Sequence, residues 1–159
     1  MHVRPGTPAD LSPLRALVDS IENFTADEKE VALELVEFAI TPAPAEHVDY
    51  KLLLAEEDGA LAGYVCFGPT PMTEATWDLY WIASSPTFRG KGAGSRLLLA
   101  MEEDVRRRGG RQVRIETSSM GEYAQTRSFY ERHAYPEASR LHDFYKAGDD
   151  LVTLYKHLG

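Results

Sequence analysis

The chain has one cysteine, Cys66, among its 159 residues, so no disulfide can form within it, and no Cys/His cluster has the spacing of a zinc site. Basic residues are in the minority. Seventeen Lys and Arg face 25 Asp and Glu, for a net charge of −8, the wrong sign for a protein that neutralises phosphate backbones or anionic lipid. Nucleic acid and membrane surfaces are therefore not expected as partners. No apolar run approaches the roughly 18 residues a membrane helix needs, and Met1-His2-Val3-Arg4-Pro5 lacks the apolar stretch of a secretory signal. A reducing cytoplasm is the expected location. Internal repeats and low-complexity tracts are missing too. What remains, 43% apolar and 26% charged residues, is the composition of one globular domain over 1–159.

The periodicities predict an order of elements. A short strand at His2 to Arg4 precedes a helix start at Thr7-Pro8-Ala9-Asp10, after which Leu11, Leu14, Leu17, Val18 and Ile21 fall at helical spacing. A second capping box, Thr25-Ala26-Asp27-Glu28, opens a helix carrying Ala32, Leu35, Val36, Ala39 and Ile40 on one stripe. Thr41-Pro42-Ala43-Pro44-Ala45 ends it as a loop. Asp58-Gly59 joins two apolar runs as a hairpin. Thr76 to Ala83 reads as a central strand with Trp77, Leu79 and Trp81 on one side and Asp78, Tyr80 and Ile82 on the other. A helix ending at Gly109-Gly110, a strand at Val113 to Thr117, a helix at Glu122 to His133 and two last strands near Ser139 to Tyr145 and Leu151 to His157 complete a mixed α/β sheet with helices on both faces.

Between the central strand and the next helix lies Arg89-Gly90-Lys91-Gly92-Ala93-Gly94-Ser95, where free backbone N–H groups and the positive end of a helix dipole make an anion site. A P-loop is excluded, because no Gly-Lys-Ser/Thr follows the glycines, and a dinucleotide fingerprint fails at its third glycine and lacks a Rossmann start. A plain tight turn would not require three alternating glycines, each of which costs backbone entropy.

The pattern Arg89-x-x-Gly92-x-Gly94, after the strand Leu79-Tyr80-Trp81-Ile82-Ala83 and before an amphipathic helix, resembles the acyl-CoA motif of the GNAT N-acetyltransferases. Arg127-Ser128-Phe129-Tyr130-Glu131-Arg132-His133-Ala134-Tyr135 resembles a second segment of that family, and the agreement extends over most of the chain. The resemblance implies an α/β (α+β) fold with a mixed central sheet of six to seven strands, splayed between the fourth and fifth. It implies transfer of an acetyl group from acetyl-CoA, without a metal, to a primary amine of a small molecule or protein. Main-chain groups of Ile82, Ala83 and Ser84 would pair with the pantetheine arm, and the stretch Arg89, Gly90, Lys91, Gly92, Ala93, Gly94, Ser95 would hold the pyrophosphate. A homodimer through the C-terminal strands is common in such proteins.

Tyr130 stands where the family has a tyrosine general acid, against a plain reading as a core aromatic. Glu116, on the face of its strand opposite Val113 and Ile115, is the candidate base, against a reading as a half-exposed partner of Arg114. Asp78 is the rival base, or neither acid serves. His133 reads as a cap for helix-end carbonyls. Two departures from the family pattern stand out: Tyr123 stands where many members have an asparagine that touches the pantetheine, and Ala134 replaces the usual helix-ending glycine, so a differently shaped helix end or a shifted next turn is expected. The different-class alternative is a CoA-liganded sensor or interaction module that has lost turnover.

Overall fold

The computed structural model describes residues 1–41 and 49–159. Along the chain lie β1 (His2–Pro5), α1 (Leu11–Asp19), α2 (Ala26–Ile40), β2 (Lys51–Glu57), β3 (Ala60–Pro69), β4 (Thr76–Ser84), α3 (Ala93–Arg107), β5 (Gln112–Ser118), α4 (Ala124–Arg132), β6 (Glu137–Lys146) and β7 (Asp149–His157). Most of the expected proline loop, Pro42 to Ala45, lies outside the described residues. The strands form one sheet in the order β1-β2-β3-β4-β5-β7-β6, with β4 and β5 parallel and the other pairs antiparallel.

Local chemistry accounts for the boundaries. Thr7 leads into a 3-10 turn, Pro8–Asp10, before α1, and the Asp10 carboxylate accepts from the Thr7 N–H at 2.8 Å. The α2 box forms as expected, with Glu28 accepting from the Thr25 N–H at 2.7 Å and Thr25 Oγ1 accepting from the Glu28 N–H at 3.2 Å. The β2–β3 turn needs positive φ at two residues, and Asp58 and Gly59 supply φ of 51° and 77°. The expected helix from Glu122 begins as a 3-10 turn at Gly121–Tyr123.

Both sheet faces are covered. The apolar stripe of α3, Leu97, Leu98, Met101 and Val105, packs on Val65, Phe67, Trp77, Leu79, Val113 and Ile115. On the other face Leu14 and Val18 of α1 and Ala32 and Val36 of α2 pack on Leu54, Tyr64 and Cys66. Each such aliphatic side chain contributes about 1.5–3 kcal/mol by leaving water.

One expectation about β4 is wrong. Leu79 pairs with Phe67 but Trp81 pairs with Cys66, so Tyr80 is an extra residue on its strand. This β-bulge reverses the alternation: Trp77 and Leu79 join the α3 side, whereas Trp81 packs on the α1–α2 side and Ile82 crosses to the α3 side. The three residues expected on one face are split between two.

The sheet opens beside the bulge. β4 and β5 pair at Thr76–Gln112, Trp77–Val113 and Asp78–Arg114, and from Leu79 and Ile115 onward they no longer pair. A gap thus begins at the middle of the sheet and widens toward the carboxyl ends of two parallel strands. The splay implied by the resemblance is present, between the fourth and fifth of seven strands.

Candidate active site

The gap leads into a cleft of about 450 Å³. One wall is Ile82, Ala83 and Ser84 at the end of β4, whose edge toward β5 has no paired strand among the described residues. The floor is the glycine loop and the first turn of α3, and the far wall is one face of α4, with Gln125, Thr126, Phe129 and Arg132. These α4 residues recur at helical spacing, three and four apart. That spacing is visible in the sequence, although none of these four residues is among the expected site residues.

The glycines serve two purposes. Gly90 and Gly92 have φ of 74° and 84°, a backbone that L side chains rarely adopt. Gly94 lies inside α3, where a Cβ would sit 3.4 Å from the Phe129 ring, so its lack of a side chain keeps the cleft open between α3 and α4. The first α-helical bond runs from Arg96 N–H to the Gly92 carbonyl at 3.1 Å, which leaves the N–H groups of Ala93, Gly94 and Ser95 without a helical acceptor. The Lys91 N–H is already used, bonding the Phe88 carbonyl at 3.2 Å. Arg89 and Arg132 flank the cleft, while the Lys91 ammonium sits 5.1 Å from the Phe88 ring centroid, and Lys91 does not line the cleft.

Tyr130 is buried against the core, its ring 5.3 Å from that of Phe129 and 6.0 Å from that of Tyr135. Burial pushes its phenol pKa well above the usual value. Asp78 is buried with both carboxylate oxygens occupied, accepting from Arg114 Nε at 2.7 Å and Thr70 Oγ1 at 2.8 Å. Glu116 is exposed, 3.6 Å from Arg114, and shares with Asp78, Tyr80 and Tyr145 a second recess of about 210 Å³. The Tyr80 phenol there is pushed up to about 12, by burial first and by the Asp78 carboxylate second. Arg114 thus bridges the two rival acids, with the shorter contact to Asp78.

His133 does what a helix-end histidine was expected to do, its Nδ1–H donating to the Phe129 carbonyl at 2.8 Å. Tyr123 donates its hydroxyl to Glu28 of α2 at 2.6 Å. At Ala134 the expectation of a reshaped helix end fails. Ala134 itself takes φ of 63°, and Ala134 N–H to Glu131 and Tyr135 N–H to Tyr130, both at 3.0 Å, complete the usual left-handed cap without glycine.

The sequence profile of the Acetyltransferase (GNAT) family matches residues 16–135. The chain belongs to that family. A crystal structure of a GNAT-family protein from Desulfovibrio desulfuricans is 41% identical and superposes with a TM-score of 0.92 over 99% of each chain. The uncharacterized N-acetyltransferase YhfO of Bacillus subtilis is 27% identical over 140 residues, 86% of this chain and 91% of that protein. The fold is shared with an aminoglycoside 6'-N-acetyltransferase complexed with coenzyme A, with a TM-score of 0.76 over 100% of this chain and 98% of that one at 16% identity. As a GNAT protein the chain is an acyl-CoA-dependent N-acetyltransferase, with acetyl-CoA as cosubstrate and an amine as acceptor. Among the described residues no helix is long and apolar enough to cross a membrane, and no group of three His, Cys, Asp or Glu could hold a metal ion.

Proposed function

We infer that residues 1–159 form one cytoplasmic N-acetyltransferase domain that transfers acetyl directly from acetyl-CoA, lying in the β4–β5 cleft, to a primary amine of a small molecule or protein. One observation carries this reading: the unpaired edge of β4 and the uncommitted N–H groups at the start of α3 line the same cleft. Ile82, Ala83 and Ser84 offer main-chain groups to the amide-bearing pantetheine arm, as a neighbouring strand would. Gly92, Ala93, Gly94 and Ser95 offer N–H groups to the pyrophosphate, with charge from Arg89 and Arg132.

In the reaction the neutral amine attacks the thioester carbonyl, the C–N bond forms, and the C–S bond breaks. The amine proton leaves toward Glu116 through solvent. Asp78 is the poorer base because it is buried and each of its oxygens already accepts a hydrogen bond, from Arg114 and Thr70. The departing thiolate takes a proton from Tyr130, whose burial keeps the phenol protonated.

A homodimer through the C-terminal strands is supported by β6, an edge strand exposed along all ten residues, Leu141, Phe144 and Tyr145 among them. Sedimentation that gives only monomer removes that reading.

CoA titration by calorimetry tests the cleft. The wild type is expected to bind in the micromolar range, on the order of −8 kcal/mol, and Gly92→Leu to bind at least about tenfold more weakly. The melting temperature of the variant is measured alongside, since φ of 84° strains any side chain there. A folded Gly92→Leu with unchanged CoA affinity would show that the glycine loop is not the anion site. Thiol release from acetyl-CoA across a panel of amines distinguishes an enzyme from a CoA-liganded sensor.

A further inference from the structure

On the α1–α2 face, one short segment reaches both sides of the gap between β4 and β5. Phe24 sets its ring edge-on to Trp81 of β4, with centroids 5.1 Å apart and planes at 64°. Four residues on, Glu28 accepts the hydroxyl of Tyr123, which follows β5, at 2.6 Å. Trp81 lies beyond the last β4–β5 pair and Tyr123 beyond the end of β5, so segment 24–28 touches both arms where they have ceased to touch each other.

The segment is tied down from within. Glu28 uses Oε2 for the Thr25 N–H and Oε1 for Tyr123, and Lys29 Nζ donates to the Asp19 carbonyl at the end of α1 at 2.9 Å. Tyr123 immediately precedes α4, whose Gln125, Thr126, Phe129 and Arg132 form a wall of the cleft. This hydrogen bond therefore joins the helix that walls the cleft to the segment that touches both arms.

We propose that Tyr123 and Glu28 are positioning residues whose hydrogen bond latches the first turn of α2 across the splay when acetyl-CoA holds α4, ordering the acceptor side and keeping water from the thioester. The proposal rests on acetyl-CoA occupying the cleft as argued above. If the latch transmits order, cofactor binding must protect α2, and the linkage is reciprocal. When the latch is broken, water replaces the amine: its oxygen adds to the thioester carbonyl, the C–S bond breaks, acetate leaves, and the thiolate takes up a proton as free CoA.

Tyr123→Phe removes the hydroxyl and keeps the ring. Hydrogen exchange of the full chain with and without CoA reads the coupling. In the wild type, CoA is expected to slow exchange across residues 24–30 by about two- to tenfold, the range one hydrogen bond supports. In Tyr123→Phe the cleft residues remain protected by CoA and residues 24–30 do not. Acetyl-CoA without any amine then releases thiol several-fold faster from the variant than from the wild type. Glu28→Gln, whose amide oxygen can still accept from Tyr123, retains part of the coupling, an outcome that a purely structural role does not require. Equal protection of residues 24–30 in both proteins, or none in the wild type, overturns the latch while leaving the cofactor site standing. Failure of the wild type to bind CoA in calorimetry removes the cofactor site, and the latch with it.

Discussion

Tyr130 sits where a phenol is kept neutral and dry, and both properties bear on what it can do. A phenol near 10 protonating a thiolate whose conjugate acid is near 8.5 works uphill by about 1.5 units, or roughly 2 kcal/mol, and burial of Tyr130 widens that gap. The transfer is feasible only if the thiolate forms in the same desolvated surroundings, which raise its basicity in step. Tyr130→Phe is therefore expected to lower kcat by about 10²- to 10⁴-fold, with little change in acetyl-CoA affinity and none of the stability loss that follows an altered core shape. Turnover within twofold of wild type at saturating acetyl-CoA would make Tyr130 a packing residue. The two acids should separate by readout. Glu116→Gln is expected to lower kcat, with an unchanged melting temperature because Glu116 is exposed. Asp78→Asn is expected to lower the melting temperature, because it weakens the charge-assisted bond from Arg114. A loss of turnover in Asp78→Asn alone, with its stability intact, would transfer the base role to Asp78.

The ends of α3 and α4 form an internal comparison. Gly109 N–H bonds Arg106 at 3.0 Å and Gly110 N–H bonds Val105 at 2.8 Å, the same two bonds that Ala134 and Tyr135 make at the end of α4. The residue in the left-handed position is Gly109 in one, with φ of 84°, and Ala134 in the other, with φ of 63°. An L side chain there costs about 1–2 kcal/mol, part of which is offset because glycine loses more entropy on folding, about 0.4–1 kcal/mol. Ala134→Gly is thus expected to stabilise by about 0.5–1 kcal/mol, a rise of a few degrees in melting temperature, and Gly109→Ala to do the reverse. A destabilised Ala134→Gly in urea or thermal unfolding would contradict this account. Why the alanine turn survives is a tertiary matter. Tyr135 is buried and donates its hydroxyl at 3.0 Å to buried Glu102, which also receives Lys156 Nζ at 2.8 Å. Those contacts dictate where the chain must turn. The β4 bulge has the same lesson: alternation and β-branched or aromatic content reveal a strand, but one extra residue is decided by pairing with β3 and leaves no local mark. The capping box at Thr25, the Asp58-Gly59 hairpin and the glycine loop were legible because their causes lie within a few residues.

At the scale of the whole molecule the charge that the composition reports only as a sum is arranged in networks, and these predict how stability depends on pH. Arg4 donates to both oxygens of Asp10, at 2.9 and 2.8 Å, and to Glu56 at 2.5 Å, fastening β1 to the start of α1 and to β2. The Arg4 guanidinium holds the Asp10 and Glu56 carboxyls below their usual range, and Arg140 does the same for Glu137. Arg4 and Glu56 lie far apart in sequence, like Glu28 and Tyr123, so nothing local signals that pair, whereas the net charge of −8 was plain from the start. The sign follows from depressed folded-state values. Above about pH 5 the carboxylates are ionised in both states and the pairing stabilises in full, but as pH falls below the unfolded value near 4 the unfolded chain takes up protons that the folded chain refuses, and that stability drains away. The melting temperature is thus expected to fall from pH 5 toward pH 2. Below the isoelectric point near 5.1 the chain also gains net positive charge, whose self-repulsion destabilises the fold as well, so the wild-type curve alone mixes two effects, and Asp10→Asn separates them. Its melting temperature should lie below wild type at pH 7, because Arg4 has lost its bidentate partner, and the two should converge as pH approaches 2. Curves that remain parallel down to pH 2 would mean that the Asp10 carboxylate does not hold its charge below the ordinary range, and that the Arg4 cluster positions β1 without contributing to the acid sensitivity of the fold.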